Sequence, residues 1–581
     1  VFGEDWQIMV DGNSSSSQAA AGGEPPVSDR LTLEREVLAD ARRRGTTATL
    51  AAYVKLSGPG WLQSAITLGG GSLAGSLYLG VIGGYDFLWL QPLMMILGVV
   101  MLSAIAYVTL STGQRPFEAI NTHVSPVLGW GWLLAAMMAN LVWAMPQFSL
   151  GTAALQQNLL PELLGGDAGK FLCVLGLFLV ASVVVWFYDS AGIGMKIFDW
   201  VLKAMVGLVV ISFFGVVTAM SLEGLLDWGR ILSGFTPDIG LLWHPAKDLQ
   251  PFIEASGNAG YWTQAILATQ QERMIAAAAT AVGINMTFLL PYSMLRKGWD
   301  SGFRGLATFD LSTGLFVPFL LATSCVVIAA ATQFHARFDP VEVELPAAEI
   351  SGEFRSNLEK RLAADEDAEA FAALDEAALN AKIDALPIAD RQLAVMLVKR
   401  DAFDLAKSLE NLFGEGGLTQ RIFGVGVLGM AVSTIIILMV INGFCVTEMT
   451  SRAGDRVVHR LGAVLPGVVG GLGFLAVWGD DQARFWLAVP TSNFGMALLP
   501  IAYVTFFLMM NNRSLLGDAM PRGLFRLVAN LVMLLAIAVA GVGAGMSIYA
   551  NLGWGGMAAV GVFIALIFAA SFMHSSRQSA A

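Results

Sequence analysis

Residues 58–80 read GPGWLQSAITLGGGSLAGSLYLG. As a helix, this apolar run is long enough to cross about 30 Å of hydrocarbon. Yet Gly69, Gly70 and Gly71 stand together at its middle. A glycine in a helix interior costs on the order of 1 kcal/mol relative to alanine, and lipid offers no partner to freed backbone groups. Such a break is tolerable where it lines a cavity. Close helix packing is the competing explanation, because the run also carries small residues at four-residue spacing. Packing, however, asks for glycine on one face rather than three in a row.

The rest of the chain agrees with a membrane setting. Of its 581 residues, 55% are hydrophobic and only 14% are charged, about half the charge of a soluble domain. Apolar runs lie at 59–80, 87–110, 127–157, 170–188, 198–221, 271–295, 309–333, 421–446, 458–478, 484–510, 525–549 and 553–574. These predict an all-α polytopic protein with 11–12 transmembrane helices. Cys173, Cys325 and Cys445 all sit inside apolar runs, and the five histidines are scattered. That pattern excludes a disulfide framework and points to no metal site and no cofactor. Nothing suggests an enzyme or a nucleic-acid partner; the expected partners are the lipid bilayer and a small-molecule substrate.

Lysine and arginine set the orientation. With the N-terminus in the cytoplasm, Arg115, Lys196, Arg296, Lys297, Arg304, Arg452, Arg456, Arg460, Arg513, Arg522 and Arg526 fall on one side, Lys170 and Arg484 being exceptions. The expected compartment is a bacterial inner membrane. Residues 1–50 read as a disordered cytoplasmic segment without a signal peptide, and the opening VFGEDWQIMVDGN as a processing or expression remnant. Helices 1–7 occupy 51–333 and helices 8–12 occupy 421–575, with a short cytoplasmic tail at 576–581. Between them, 334–420 is an extracytoplasmic acidic helical insertion, with acidic residues about twice as common as basic ones. It reads as a lid or docking module, or as a shield over the entrance.

A second interruption lies in TAVGINMTFLLPYSMLRK, residues 280–297. Gly283, Asn285, Thr287 and Pro291 break the sixth run much as the glycines break the first. Broken helices at matching positions in successive sets of five point to an inverted-repeat secondary transporter with its site near the membrane midplane.

These segments resemble the NRAMP family, proton-coupled divalent-metal transporters of the LeuT-like fold. GPGWLQSA is similar to the family's entry to helix 1, STGQRPFEAIN to the turn after helix 2, and GTAALQQNLLP to the end of helix 3. LLDWGRILSGFTP resembles the stretch after helix 5, and LLPIAYVTFFLMMNNRSLLGD the end of helix 10. The resemblance covers roughly 50–330 and 420–550. It implies a LeuT-like 5+5 inverted repeat with discontinuous helices 1 and 6, working by alternating access.

The departures bear on the passenger. Where the family has Asp-Pro-Gly-Asn in helix 1, this chain has Gly69, Gly70, Gly71 and Ser72. Where it has Met-Pro-His in helix 6, Asn285, Met286 and Thr287 stand, and Tyr292 matches a further histidine. Met145 and Phe148 match proton-handling acids, and Ser492 or Asn493 an amide ligand. The resemblance therefore implies a metal site without its carboxylate and with Met286 displaced by one position, about 100° around the helix. A dehydrated transition metal needs anionic or soft donors, and a proton relay needs ionisable groups.

What remains is space, neutral hydrogen-bonding groups and aromatics. The candidate substrate-binding residues are Gln63, Gly69, Gly70, Gly71 and Ser72, then Asn140, Trp143 and Gln147 on one face of helix 3. Val282, Asn285, Thr287, Ser492 and Asn493 complete the set. The expected passenger is a small neutral polar solute such as a sugar, with a proton or sodium as a possible coupling ion. The alternatives are a largely hydrated divalent cation such as Mg²⁺, or a non-transporting receptor. Tyr261 and Trp262 are expected in the interfacial aromatic belt, Asp310 near an interface, and Glu448 reaching water at a helix end.

Overall fold

The computed structural model describes residues 27–188, 193–400, 404–405, 418–477 and 488–580. Residues through Ala52 form one unit and Tyr53 onward a second. In the first unit, Val27–Arg44 is a helix, correcting the expectation of disorder for that part. Its surface is charged, and Asp40 pairs with Arg44 one turn later at 2.6 Å. Thr46–Leu56 is helical as well and corrects the same expectation. Its first part, residues 1–26, lies outside the described residues, as do 401–403 and 406–417 of the insertion and 484–487 of the tenth span.

In the second unit the first apolar run is two helices, α1 (Pro59–Thr67) and α2 (Gly70–Gly83), bent by 56°. There follow α3 (Leu90–Thr112), α4 (Pro126–Ala153), α5 (Gly166–Tyr188) and α6 (Ile193–Leu222). The sixth span is also broken, into α7 (Ala259–Ala279) and α8 (Ile284–Arg296), and α9 (Val317–Phe334) completes the seventh. The insertion contributes α10 (Gly352–Ala363) and α11 (Ile388–Met396). Last come α12 (Leu418–Met449), α13 (Arg456–Val477), α14 (Ala488–Met510) and α15 (Gly523–Ala580). Among the described residues ten helices are long and apolar enough to cross a membrane, and eleven if the bent pair α1–α2 is one span. The final two apolar runs form the single helix α15, kinked at Gly553, whose φ of 57° only glycine adopts freely.

The spans sort into two groups. α4, α5, α12 and α13 pack on one another, while α1, α2, α3, α7, α8 and α9 form the other set. The helix breaks lie where the groups meet, and the basic loops with Arg115, Arg296 and Arg456 lie at the end opposite the insertion. These are called the basic end and the insertion end.

The sixth span differs from the sequence expectation. α7 begins at Ala259, well before residue 271, because its polar half is satisfied by protein. The Asn258 side chain accepts from Tyr261 N–H at 2.9 Å and caps the helix. Gln270 donates to the carbonyls of Leu241 and His244, and the Arg273 guanidinium lies 4.4 Å from the centre of the Tyr78 ring. Hydropathy does not register a helix whose polar groups are buried against partners. Trp262 likewise leaves the expected aromatic belt. It is fully buried, and its indole donates to Asp390 of the insertion at 2.8 Å. Asp390 also accepts from Arg361 at 2.8 Å and from Gly257 N–H at 2.7 Å. The insertion is thus bolted to the start of α7.

Candidate substrate site at the helix breaks

Each of the three glycines faces a different neighbour. A Cβ on Gly69 would lie 2.5 Å from Thr434 Oγ1 of α12, one on Gly70 2.9 Å from Leu150 of α4, and one on Gly71 3.1 Å from Ser492 of α14. None of the three is left-handed, and Gly69 is extended at φ −116° and ψ −176°. The run exists so that three elements can close in on an unwound backbone.

Around it lies a cavity of about 40 Å³, room for about three waters. Of the residues expected from sequence, Gly69, Gly71, Ser72, Trp143, Gln147 and Ser492 line it. The others stand behind the wall. Gly70 gives its N–H to Gln147 Oε1 at 2.9 Å. Gln63 is buried and donates to the Met286 carbonyl at 3.4 Å. The buried Asn140 amide has no hydrogen-bond partner among the described residues. Val282 packs against Gly98, whose Cβ would lie 2.2 Å from it. Asn285 folds back so that its Oδ1 accepts from Met286 N–H at 2.9 Å. Thr287 accepts from the Trp132 indole at 2.9 Å, and the Asn493 carbonyl accepts from Ser547 at 3.0 Å.

The wall also contains Ile66, Thr67, Pro146, Thr280, Gly283, Met286, Thr434 and Thr491, none of them among the substrate-binding residues expected from sequence. Thr67 and Gly283 flank the two breaks, a signal that was available. Thr434 lies midway along an unbroken apolar helix, and nothing local marks it. Met286 corrects the expectation that its thioether is turned away. α8 takes its phase from Gly283 at its N-cap, so Met286 at the third position reaches back into the break. Its sulfur accepts from Thr67 Oγ1 at 3.1 Å and Gly283 N–H at 3.4 Å.

The lining is hydroxyls, one amide, one indole, one thioether, the apolar side chains of Ile66 and Pro146, and backbone; none of its side chains is ionisable. Among the described residues no group of three or more His, Cys, Asp or Glu could hold a metal. The N-termini of α2 and α8 and the C-termini of α1 and α7 converge here, placing partial positive and negative charge side by side. The carboxylates sit elsewhere, and two differ from expectation. Asp310 is fully buried rather than near water. Its Oδ2 accepts from Gly58 N–H at 3.0 Å and Gly60 N–H at 2.7 Å, which caps α1. Glu448 is also buried, because Arg115 pairs with it at 3.1 Å.

A larger void of about 320 Å³ opens at the basic end, with Arg115, Tyr292, Phe444, Glu448 and His459 in its wall. Between the two cavities runs an aromatic stack. Ring centroids are 4.4 Å apart for Trp132–Phe288, 4.8 Å for Phe288–Tyr292 and 5.4 Å for Tyr292–Phe444.

The profile of the family described as natural resistance-associated macrophage protein-like matches residues 60–350. The chain belongs to the Nramp family. Comparison with curated proteins gives no match. Among solved structures, this Nramp chain is similar to a mutant of the Eremococcus coleocola manganese transporter, with 12% identity and a TM-score of 0.60 over 91% of this chain and 96% of that one. It is also similar to the same transporter in complex with an aromatic bis-isothiourea compound, with 14% identity, a TM-score of 0.57 and coverage of 91% and 95%. Such likeness establishes the fold: a LeuT-like pair of inverted five-helix repeats with broken first helices, which in this Nramp chain is followed by the long α15. The chain is an integral membrane protein with a secondary-transporter fold.

Proposed function

We propose that this chain is an alternating-access transporter of a small neutral polar solute, with the transition-metal site lost. The observation that carries the reading is the cavity at the two helix breaks, which pairs donors and acceptors without an ionisable side chain. Opposed helix ends and hydroxyls suit a molecule that both donates and accepts hydrogen bonds. A bare divalent cation would meet two positive helix N-termini beside the two C-termini, and no carboxylate to replace its hydration. The cavity volume narrows the solute to short polyols or amides in this conformation; a hexose would require the site to widen. The basic end is placed in the cytoplasm by the positive-inside rule, and hydroxyls with freed carbonyls leave sodium as the better candidate for a coupling ion than a proton.

Divalent-cation transport is the second reading. It is favoured by the Met286 sulfur in the wall, by a volume that suits one ion with a few waters, and by the manganese transporters that share the fold. Calorimetric titration of the purified chain with Mn²⁺, Mg²⁺ and a panel of polyols, amides and sugars separates the two, followed by uptake into proteoliposomes. Heats with neutral solutes and none with the cations are expected. Saturable Mn²⁺ or Mg²⁺ binding that is lost in Met286→Ala, with no neutral solute bound, overturns the proposal.

A further inference from the structure

We infer that Trp143 is a specificity-determining residue that sets the upper size limit of the passenger. This rests on the neutral-solute reading and adds what the site excludes.

Trp143 is the largest side chain in the cavity wall. It comes from α4, yet it is held from the other elements of the site. Its indole N–H donates to the Thr491 carbonyl of α14 at 2.6 Å. The far edge of the ring lies in space left by two glycines. A Cβ on Gly283, at the start of α8, would be 2.4 Å from Trp143 Cη2, and one on Gly495 of α14 would be 2.1 Å from Cζ2. Any larger residue at either position drives into the ring, so the backbone of two elements is shaped to receive this indole. An aromatic ring fixed by a hydrogen bond at one point and by backbone on both flanks has few other rotamers to take.

The consequence is steric. The remaining volume is about three waters, and the indole occupies the room that a pentose or hexose ring would need. The wedge also joins α4 of one helix group to Gly283 of the other, so it closes the site wherever the two groups come together. Neutral solutes of glycerol or acetamide size pass this limit, and ring sugars do not. A pocket whose polar side chains are mostly hydroxyls accepts many short polyols alike, which leaves size as the discriminating property.

The test is calorimetric titration of the full-length wild type, Trp143→Phe and Trp143→Ala with glycerol, erythritol, acetamide, ribose and glucose. The wild type is expected to bind the small members only. Trp143→Ala gains ribose and glucose affinity on the order of tenfold or more, with Trp143→Phe between them. Gly495→Ala serves as an independent variant that keeps the indole but displaces it, and a changed cut-off is expected there as well. An unchanged cut-off in Trp143→Phe and Gly495→Ala overturns the inference while leaving the neutral-solute reading in place. Binding of no neutral solute by any of the four proteins removes both.

Discussion

At the scale of single residues, the glycine run is explained by contact rather than by dihedral angle. Gly69 admits Thr434, and the two sit on helices from different groups. Gly69→Ala is therefore expected to destabilise the protein by about 1–3 kcal/mol through overpacking, and to abolish solute binding. Thr434→Ala in the same molecule removes the nearest clashing atoms and recovers part of the loss, although the Ile66 carbonyl at 3.2 Å still crowds the site. Thermal unfolding of the two singles and the double gives the coupling directly. No recovery in the double would show that the glycine is needed for its backbone instead. The sequence made the glycines conspicuous, but it could not name their neighbours. Asn285 and Thr287 illustrate the limit. They are polar and next to a break, yet their side chains serve Met286 N–H and the Trp132 indole behind the wall.

At the scale of elements, the insertion and α7 act as one piece. Arg361 and Asp390 are both buried, and Asp390 also holds Trp262 and Gly257. Removing one partner of a buried pair costs about 3–5 kcal/mol because the other charge is stranded. Asp390→Ala should therefore release the insertion from α7, which hydrogen exchange across Gly257–Trp262 would read as lost protection; unchanged protection there rejects the coupling. The second carboxylate partner of Arg361, Asp365 at 2.5 Å, predicts a pH dependence. Arg361, and to a lesser extent Asn258, hold the Asp365 carboxyl below the ordinary value of 3.8. A depressed folded-state pKa adds stability that is present above that value and lost as pH falls through the folded pKa. Protection of the insertion should fall as pH drops below about 4, and Asp365→Asn should flatten that dependence.

At the scale of the whole molecule, the two cavities and the stack between them describe one conformation of a transporter. The void at the basic end reaches Tyr292 and Phe444, and the small cavity begins at Met286 and Thr434. Tyr292 and Phe444 come from opposite helix groups, so parting them is the movement that would join the two spaces. A cysteine at Ser492 should react slowly with a water-soluble thiol reagent supplied from the basic end. Tyr292→Ala in that background should raise the labelling rate. Equal rates would place the closure elsewhere. Cys173, Cys325 and Cys445 are all buried, which limits background reaction.

The sequence by itself determined that this chain is a bundle of membrane helices with two of them broken, because hydrophobic length and backbone breakers act locally and are read one segment at a time. It also pointed to Gly69, Gly71, Ser72, Trp143 and Gln147, which are polar, aromatic or flexible where apolar residues are the rule, and the family resemblance pointed to Ser492. Only the tertiary structure decided which atoms face the cavity, how small it is, and that Met286 and Thr434 belong to its wall. It also decided that Asp310 is sealed away by backbone N–H groups and that Glu448 is buried against an arginine. Those properties depend on the phase of each helix after its break and on neighbours hundreds of residues distant, and no local pattern carries that information.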